Sequence, residues 1–319
     1  MDISTLFGSM PGAVAQGLIW GIMAVGVYIT YKILDIADLT VDGSICTGGA
    51  VCVMMVLSGH SLPVAMLAAV GAGMLAGLVT GLFHTFMGIP AILAGILTQL
   101  SLYSVNLKIM GKANQSLYVR NYDLLVSLQY LNKNAKFTNG SAVPWFWNPI
   151  LVVGVFVALI IALLYWFFGT EWGSAMRATG SNPAMARAQG TNTNFNKVCA
   201  LMLSNGIVAL SGAILTQYQG FADVQMGRGA IVIGLAAVII GEAVFGRFFT
   251  QMYMKLISVA VGGVVYYIVY QTVIWFGIDT DLLKMLSAIV VAIFLAAPYW
   301  KKKLSEKRVM LGGKKHAGA

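Results

Sequence analysis

Residues 150–168 read Ile-Leu-Val-Val-Gly-Val-Phe-Val-Ala-Leu-Ile-Ile-Ala-Leu-Leu-Tyr-Trp-Phe-Phe, with no charge and no side-chain amide anywhere in the run. A helix needs roughly 20 mostly apolar residues to cross the hydrocarbon of a bilayer. A transmembrane barrel strand would alternate apolar and polar residues, and this run does not alternate. A helix also satisfies its backbone hydrogen bonds within itself, which hydrocarbon demands. This one stretch therefore points to a chain that crosses membranes as helices.

The same reading extends outward. Further apolar stretches lie at about 12–31, 43–59, 62–86, 90–107, 197–217, 229–246, 252–276 and 282–299. With 149–168 they give about nine transmembrane helices. The second and seventh are short and Gly-rich, so the range is 8–10. The expected fold class is all-α, a polytopic integral membrane helical bundle. Composition agrees. Hydrophobic residues make up 59% of the 319 and charged residues 10%, against roughly 25% charged in a soluble domain. Mean hydropathy is +0.82. Gly73, Gly77 and Gly81 form two successive GxxxG steps, and Gly17 with Gly21 forms another. On a helix such residues share a face and admit a neighbour's backbone. The same face serves either static packing or a moving interface.

Three hydrophilic segments interrupt the spans: about 108–148, 169–196 and the tail 301–319. The tail holds Lys301, Lys302, Lys303, Lys307, Arg308, Lys314 and Lys315 against Glu306. Positive charge directly after an apolar span marks the cytoplasmic side. No groove-reading motif accompanies it, which argues against nucleic acid as a partner. Counting spans back from a cytoplasmic tail places 169–196 in the cytoplasm, with 108–148 and the N-terminus outside. Trp145 and Trp147, just before a span, fit an interfacial belt. The expected organisation is one transmembrane domain over 1–300 followed by the basic cytoplasmic tail, in a bacterial plasma membrane with lipid around it. The first residues lack the cationic start of a signal peptide.

Catalytic and metal chemistry find little support. Cys46, Cys52 and Cys199 lack metal or redox spacing and read as small buried hydrophobes. His60, His84 and His316 have no ligand-spaced companions, so no metal site is expected. No nucleophile has a paired base, and an enzyme is not expected.

The informative hydrophilic segment is Gly169-Thr-Glu-Trp-Gly-Ser-Ala-Met-Arg177-Ala-Thr-Gly180-Ser-Asn182-Pro183-Ala-Met-Ala186-Arg187-Ala-Gln-Gly190. Asn182 is a good N-cap and Pro183 suits the first helical position. Ala184 to Gln189 favours helix, and Gly190 suits its left-handed end. A short capped helix flanked by arginines, hung between two spans, has the form of a docking knob for a soluble partner.

The run Arg177-Ala-x-Gly180-x-Asn182-Pro183-x-x-Ala186-Arg187-x-x-Gly190 resembles the coupling loop of permeases of binding-protein-dependent ABC importers, above all the branched-chain amino acid and ribose permease superfamily. Lys197 to Gln217, Gly227-x-Gly229 and Leu235 to Gly241 are similar to later parts of that family. Asp38-Leu-Thr-Val-Asp42-Gly-Ser44 resembles its Asp-Leu-Ser-Val-Gly-Ser turn, with Asp42 inserted before the Gly. The runs Leu93 to Thr98 and Leu102 to Asn114 look like a branch linked with amino acid uptake, aromatic amino acids included. The resemblance implies a translocation subunit whose coupling residues are Arg177, Gly180, Asn182, Pro183, Ala186, Arg187 and Gly190. It implies three partners: a cytoplasmic ATPase, an extracytoplasmic substrate-binding protein, and a second permease as homodimer or heterodimer. The sequence has no GxxxxGK[ST] phosphate loop, so no cofactor is expected on this chain and ATP belongs to the partner.

Three polar residues in apolar surroundings are candidates for the path: Gln99, Asn106 and Glu242. Gln99 and Asn106 lie seven apart and share a helix face, where they either line a path or bond between helices. Glu242 either braces the cytoplasmic end, with Arg247 as partner, or acts on substrate or protons. Asp223 and Arg228 are expected near the outer face, paired together or meeting the binding protein. The competing class is an ion-gradient-driven secondary transporter, which would place several charges or broken helices near the midplane. In the sequence, Glu242 is the chief candidate there.

Overall fold

A computed structural model describes residues 3–117, 122–131, 141, 143–245 and 251–276, together with 285, 288–289, 292–293 and 296. Its helices are α1 (Ile3–Tyr28), α2 (Val41–Leu57), α3 (Leu62–Thr85), α4 (Ala91–Met110), α5 (Pro149–Gly169), α6 (Glu171–Ser181), α7 (Pro183–Ala188), α8 (Thr193–Gln219), α9 (Ala230–Phe245) and α10 (Met252–Trp275). Six of the described helices are long and apolar enough to cross a membrane, while α2 and α9 are shorter. The first eight apolar stretches coincide with α1 to α5 and α8 to α10. The ninth, 282–299, lies largely outside the described residues, as do Arg247 and the basic tail.

Contacts fix the direction of each helix. Ser211 on α8 donates to the Ile19 carbonyl on α1, and Ser204 to that of Gly26. These helices are therefore antiparallel. Gly17 and Gly21 of α1 lie against Val264 and Ala260 of α10, so α10 also opposes α1. One end of the bundle, the loop end, carries the start of α1 and the described residues between 111 and 148. There Tyr218 donates to the Gly12 carbonyl and the indole of Trp147 to that of Leu124. A small antiparallel pair, β1 (Asn114–Ser116) and β2 (Phe221–Asp223), closes this end. Nearby, the Tyr130 hydroxyl accepts from the Leu124 amide, and burial pushes its phenol above the usual tyrosine range. The opposite end, the elbow end, carries α6 and α7.

Two helices begin inside the bundle. The last turn of α1 widens into a π-helix, Ile29–Ile33, and the chain reverses at Asp35 with φ 54°. Residues 34–40 then run back inward, and α2 starts beside the middle of α8, where Ser44 donates to Asn205. From the loop end, residues 221–229 likewise run inward, and α9 starts where the Gly229 amide meets Asp42. Helix α2 heads for the loop end and α9 for the elbow end. Their 17 and 16 residues rise roughly 25 and 24 Å at 1.5 Å each. The junction thus sits near the centre of a membrane roughly 40–45 Å thick.

This arrangement is an inverted repeat. Helix α1, an inward break, half-helix α2 and the spanning α3 recur in opposite direction as α8, an inward break, half-helix α9 and α10. The breaks share a local motif, Ala37-Asp38-Leu-Thr40 and Ala222-Asp223-Val-Gln225. Asp38 Oδ1 accepts from the Thr40 amide at 2.9 Å, and Asp223 Oδ1 from the Gln225 amide at 2.6 Å.

Helix α8 is the hub. Gly73, Gly77 and Gly81 of α3 lie against its backbone at Asn205, Leu201 and Val198, and Gly48 of α2 against Ala209. The small-residue stripe on α3 is thus packed within this chain. Gly71, on the same helix, has open space where a side chain would go. Gly77→Val should force α3 off α8 and lower the thermal midpoint of the purified protein by several degrees, a loss of about 1–3 kcal/mol. Gly71→Val should leave it unchanged, and equal midpoints for the two would contradict this packing.

Candidate functional site

The elbow end is built from three successive caps. Thr170 Oγ1 accepts from the Gly173 amide at 3.3 Å and opens α6. Asn182 Oδ1 accepts from the Met185 amide at 3.0 Å and opens α7. Asn192 Oδ1 accepts from the Phe195 amide at 3.1 Å and opens α8. Each such cap is worth roughly 1 kcal/mol. Pro183 occupies the first turn of α7, and Gly190 ends the elbow with φ 81°. The 11-residue α6 was not expected. Its Thr-x-x-Gly start is a weak signal beside the stronger Asn-Pro start that follows.

Packing holds the elbow onto the bundle. Trp172 stacks on Phe195 at 5.8 Å between centroids. Asn196 of α8 donates to Thr179 at 3.1 Å, and Arg187 donates to Thr193 at 2.9 Å. The sequence motif therefore divides. Gly180 lies against the Ile33 carbonyl and Leu34, where a side chain would not fit. Ala186 is only 2% exposed. Both shape the elbow and offer little to a partner. Arg177, Pro183, Arg187 and Met185 are on the outside, with Met185 59% exposed. Met185 was not singled out in the sequence, because an apolar residue in a helical run reads as packing until its face is known. Beside the elbow, Tyr31, Lys32, Asp35, Arg177, Gly180 and Lys255 line a cavity of about 690 Å³.

The three path candidates are not brought together. Gln99 is half-buried at mid-depth, its backbone against Gly43 at the start of α2. Asn106 is 1% exposed, and neither of its side-chain polar atoms meets a protein partner. Glu242 lies toward the elbow end and pairs with Lys32 at 3.0 Å. Arg247, the partner expected from sequence, lies outside the described residues. The pair is largely exposed, so its stabilising effect is small.

The polar groups at mid-depth are others. Asp38, 2% exposed, accepts from Asn205 Nδ2 at 2.7 Å through its second oxygen. Thr40, Thr80 and Thr98 extend this network across α3 and α4 at 2.7 and 2.9 Å. Asp42 accepts from the Gly229 amide through Oδ2 and the Ile231 amide through Oδ1, both at 2.9 Å. It therefore caps α9 from the first turn of α2. Arg228 precedes α9 and is exposed. It does not lie near the outer face as expected, and Asp223 bonds Asn114 at 3.3 Å instead. An arginine facing hydrocarbon at that depth costs about 2.5–3.5 kcal/mol on insertion scales. Broken helices with charged ends are thus present, contrary to the sequence reading that had Glu242 as the chief midplane charge.

Comparison with known proteins decides the family. The model of the branched-chain amino acid transport system permease component matches residues 10–296. The chain belongs to that permease family. It is 38% identical over 281 residues to a tyrosine transport system permease protein of Clostridioides difficile, with 88% of each chain covered. An uncharacterized protein, RP368, of Rickettsia prowazekii is 31% identical over 89% of this permease and 96% of its own length. The autoinducer 2 import system permease protein LsrC of Salmonella choleraesuis is 32% identical over 59% of this permease and 50% of its own length. Among solved structures, PsaBC of Streptococcus pneumoniae superposes with a TM-score of 0.54 at 16% identity, covering 92% of this permease and 94% of that chain. A putative metal-chelate type ABC transporter in an inward-facing conformation gives 0.50 at 14%, covering 91% and 85%. At those identities the likeness concerns the fold. The permease is a multi-pass membrane transport protein of the ABC class.

Asp42 gives the site its most direct test. Asp42→Ala should destabilise the purified permease by about 1–3 kcal/mol, since two interior amides lose their acceptor. Asp42→Asn should also destabilise it, because one amide is left facing an NH2 group. Thermal unfolding in detergent reads both, and unchanged midpoints would contradict the cap.

Proposed function

We propose that this permease forms the translocation path of an ABC importer for an amino acid, driven by a separate cytoplasmic ATPase and supplied by an extracytoplasmic binding protein. The exposed, triply capped elbow of α6 and α7 carries this reading. A lever that transmits force must be stiff and must present a surface. The caps supply stiffness, and Pro183, Met185 and Arg187 supply the surface, with Asn182 and Gly190 setting its ends and Arg177 beside it. Ala186 and Gly180 seat the elbow on the bundle. The elbow end is then the cytoplasmic side, the basic tail belongs there too, and the loop end meets the binding protein. Two copies related by C2 symmetry would complete the path. The tyrosine permease relative supports an amino acid as cargo.

Met185→Asp is the cleanest probe, because Ala186→Asp would bury a carboxylate and Arg187→Glu also removes the bond to Thr193. Full-length permease captured from native membranes in mild detergent should bring down a stoichiometric ATPase. Met185→Asp should reduce that recovery at least about tenfold, a loss of roughly 1.4 kcal/mol, while leaving the permease folded. A permease that arrives without an ATPase and still transports in liposomes under an ion gradient would overturn this reading in favour of a secondary transporter.

A further inference from the structure

Inward of the exposed Asp35 turn, the carboxylates Asp38, Asp42 and Asp223 of the two breaks are all engaged. Asp38 accepts from the Thr40 amide and Asn205. Asp42 spends one oxygen on each of two amides of the α9 start. Asp223 accepts from the Gln225 amide and Asn114. Arg228 lies between Gly227 and Gly229, both of which touch Asp42, and it is left over. It has no anionic partner among the described residues, its side chain is exposed, and its own amide is tied back to the Gln225 carbonyl at 3.0 Å. Its backbone cannot ride toward either surface, because Gly227 beside it is wedged against the Asp42 carbonyl and donates to Cys46 Sγ at 3.1 Å. Gly229 on its other side donates to Asp42. A permanently charged guanidinium is thus held near the centre of the membrane, facing outward from this chain. Such a group faces water or another polar surface, because hydrocarbon rejects it. The guanidinium fork matches a carboxylate in geometry and charge.

We infer that Arg228 faces the translocation path and binds the carboxylate of the passing solute, with half-buried Gln99 at the same depth on the other side of the α2 start. This deepens the importer reading and rests on it for the cargo, though not for the placement of Arg228. A C2 partner would bring a second Arg228 to the same path, and mutual repulsion would favour an anion between them.

Two measurements test it on the full complex of permease, ATPase and binding protein. In the first, Arg228→Cys in a Cys199→Ala background is treated in liposomes with a water-soluble, anionic thiosulfonate. Placement on the path requires labelling above the Cys199→Ala control, and a thiol that stays unmodified overturns the placement whatever the cargo is. In the second, uptake of radiolabelled L-tyrosine is measured beside ATP hydrolysis stimulated by the binding protein. Arg228→Gln should reduce uptake at least about tenfold with ATP hydrolysis retained, and Arg228→Lys should restore much of it. Uptake by Arg228→Gln equal to that of the unaltered complex overturns the carboxylate contact. Loss of ATPase binding in the unaltered complex would instead strike the importer reading, and the two failures are therefore distinguishable.

Discussion

A helix that begins inside a membrane exposes its first amides away from the water at either surface, and the whole architecture turns on how that need is met. In this permease the α9 start is met by a single carboxylate. Asp42 belongs to the first turn of α2, and it accepts from Gly229 and Ile231 at 2.9 Å. One side chain thereby joins the two half-helices, one from each repeat. The α2 start is held differently, by Asp38 and Asn205 in a network that reaches Thr80 and Thr98. A negative group between two helix N-termini also suits both macrodipoles. The midplane therefore combines strong local fixing with interrupted helices, an arrangement tolerated only where backbone is buried in protein or lines a cavity.

Around that junction the packing depends on missing side chains. No hydrophobic force draws helices together in lipid, so close contact must come from van der Waals fit. Helix α8 receives α3 at Gly73, Gly77 and Gly81, α2 at Gly48, and α1 at Gly26, while its own Gly212 receives Ile45. The stripe visible in the sequence is thus used for static packing inside one chain. Arg228 and Gln99 lie away from that stripe.

The positions of the spans were legible because unbroken apolar length is a strong signal, and Ile150 to Phe168 alone excludes most alternatives. The elbow was legible through Asn182, Pro183 and Gly190, residues whose local conformations are nearly dictated by their chemistry. The repeat was not. Ala37-Asp38 and Ala222-Asp223 are too short a likeness to stand out. Asp42 looked like an insertion that upset a motif, because its partners lie 187 and 189 residues away. Arg228 was placed near a surface, since sequence gives no warning that residues 221–229 run inward.

The inward segment 34–40 links these features physically. Gly180 of the elbow rests on Ile33 and Leu34, at the π-turn that ends α1. The Leu34 amide still bonds to Ile29 and that of Ile36 to Thr30, at 3.0 and 2.9 Å, so this turn is held as one piece with α1. Beyond it stand Asp38 and then the α2 start. Packed cores resist continuous deformation and respond by discrete shifts. If an ATPase pushes on α6 and α7, the force enters at a turn with one unusual backbone residue, Asp35, and arrives a few residues later at the half-helix whose Asp42 caps α9. A physical coupling claim requires an element with two arrangements that both sites bias. The α2–α9 junction is the natural candidate, because two amide hydrogen bonds to one carboxylate are few enough to exchange and central enough to matter.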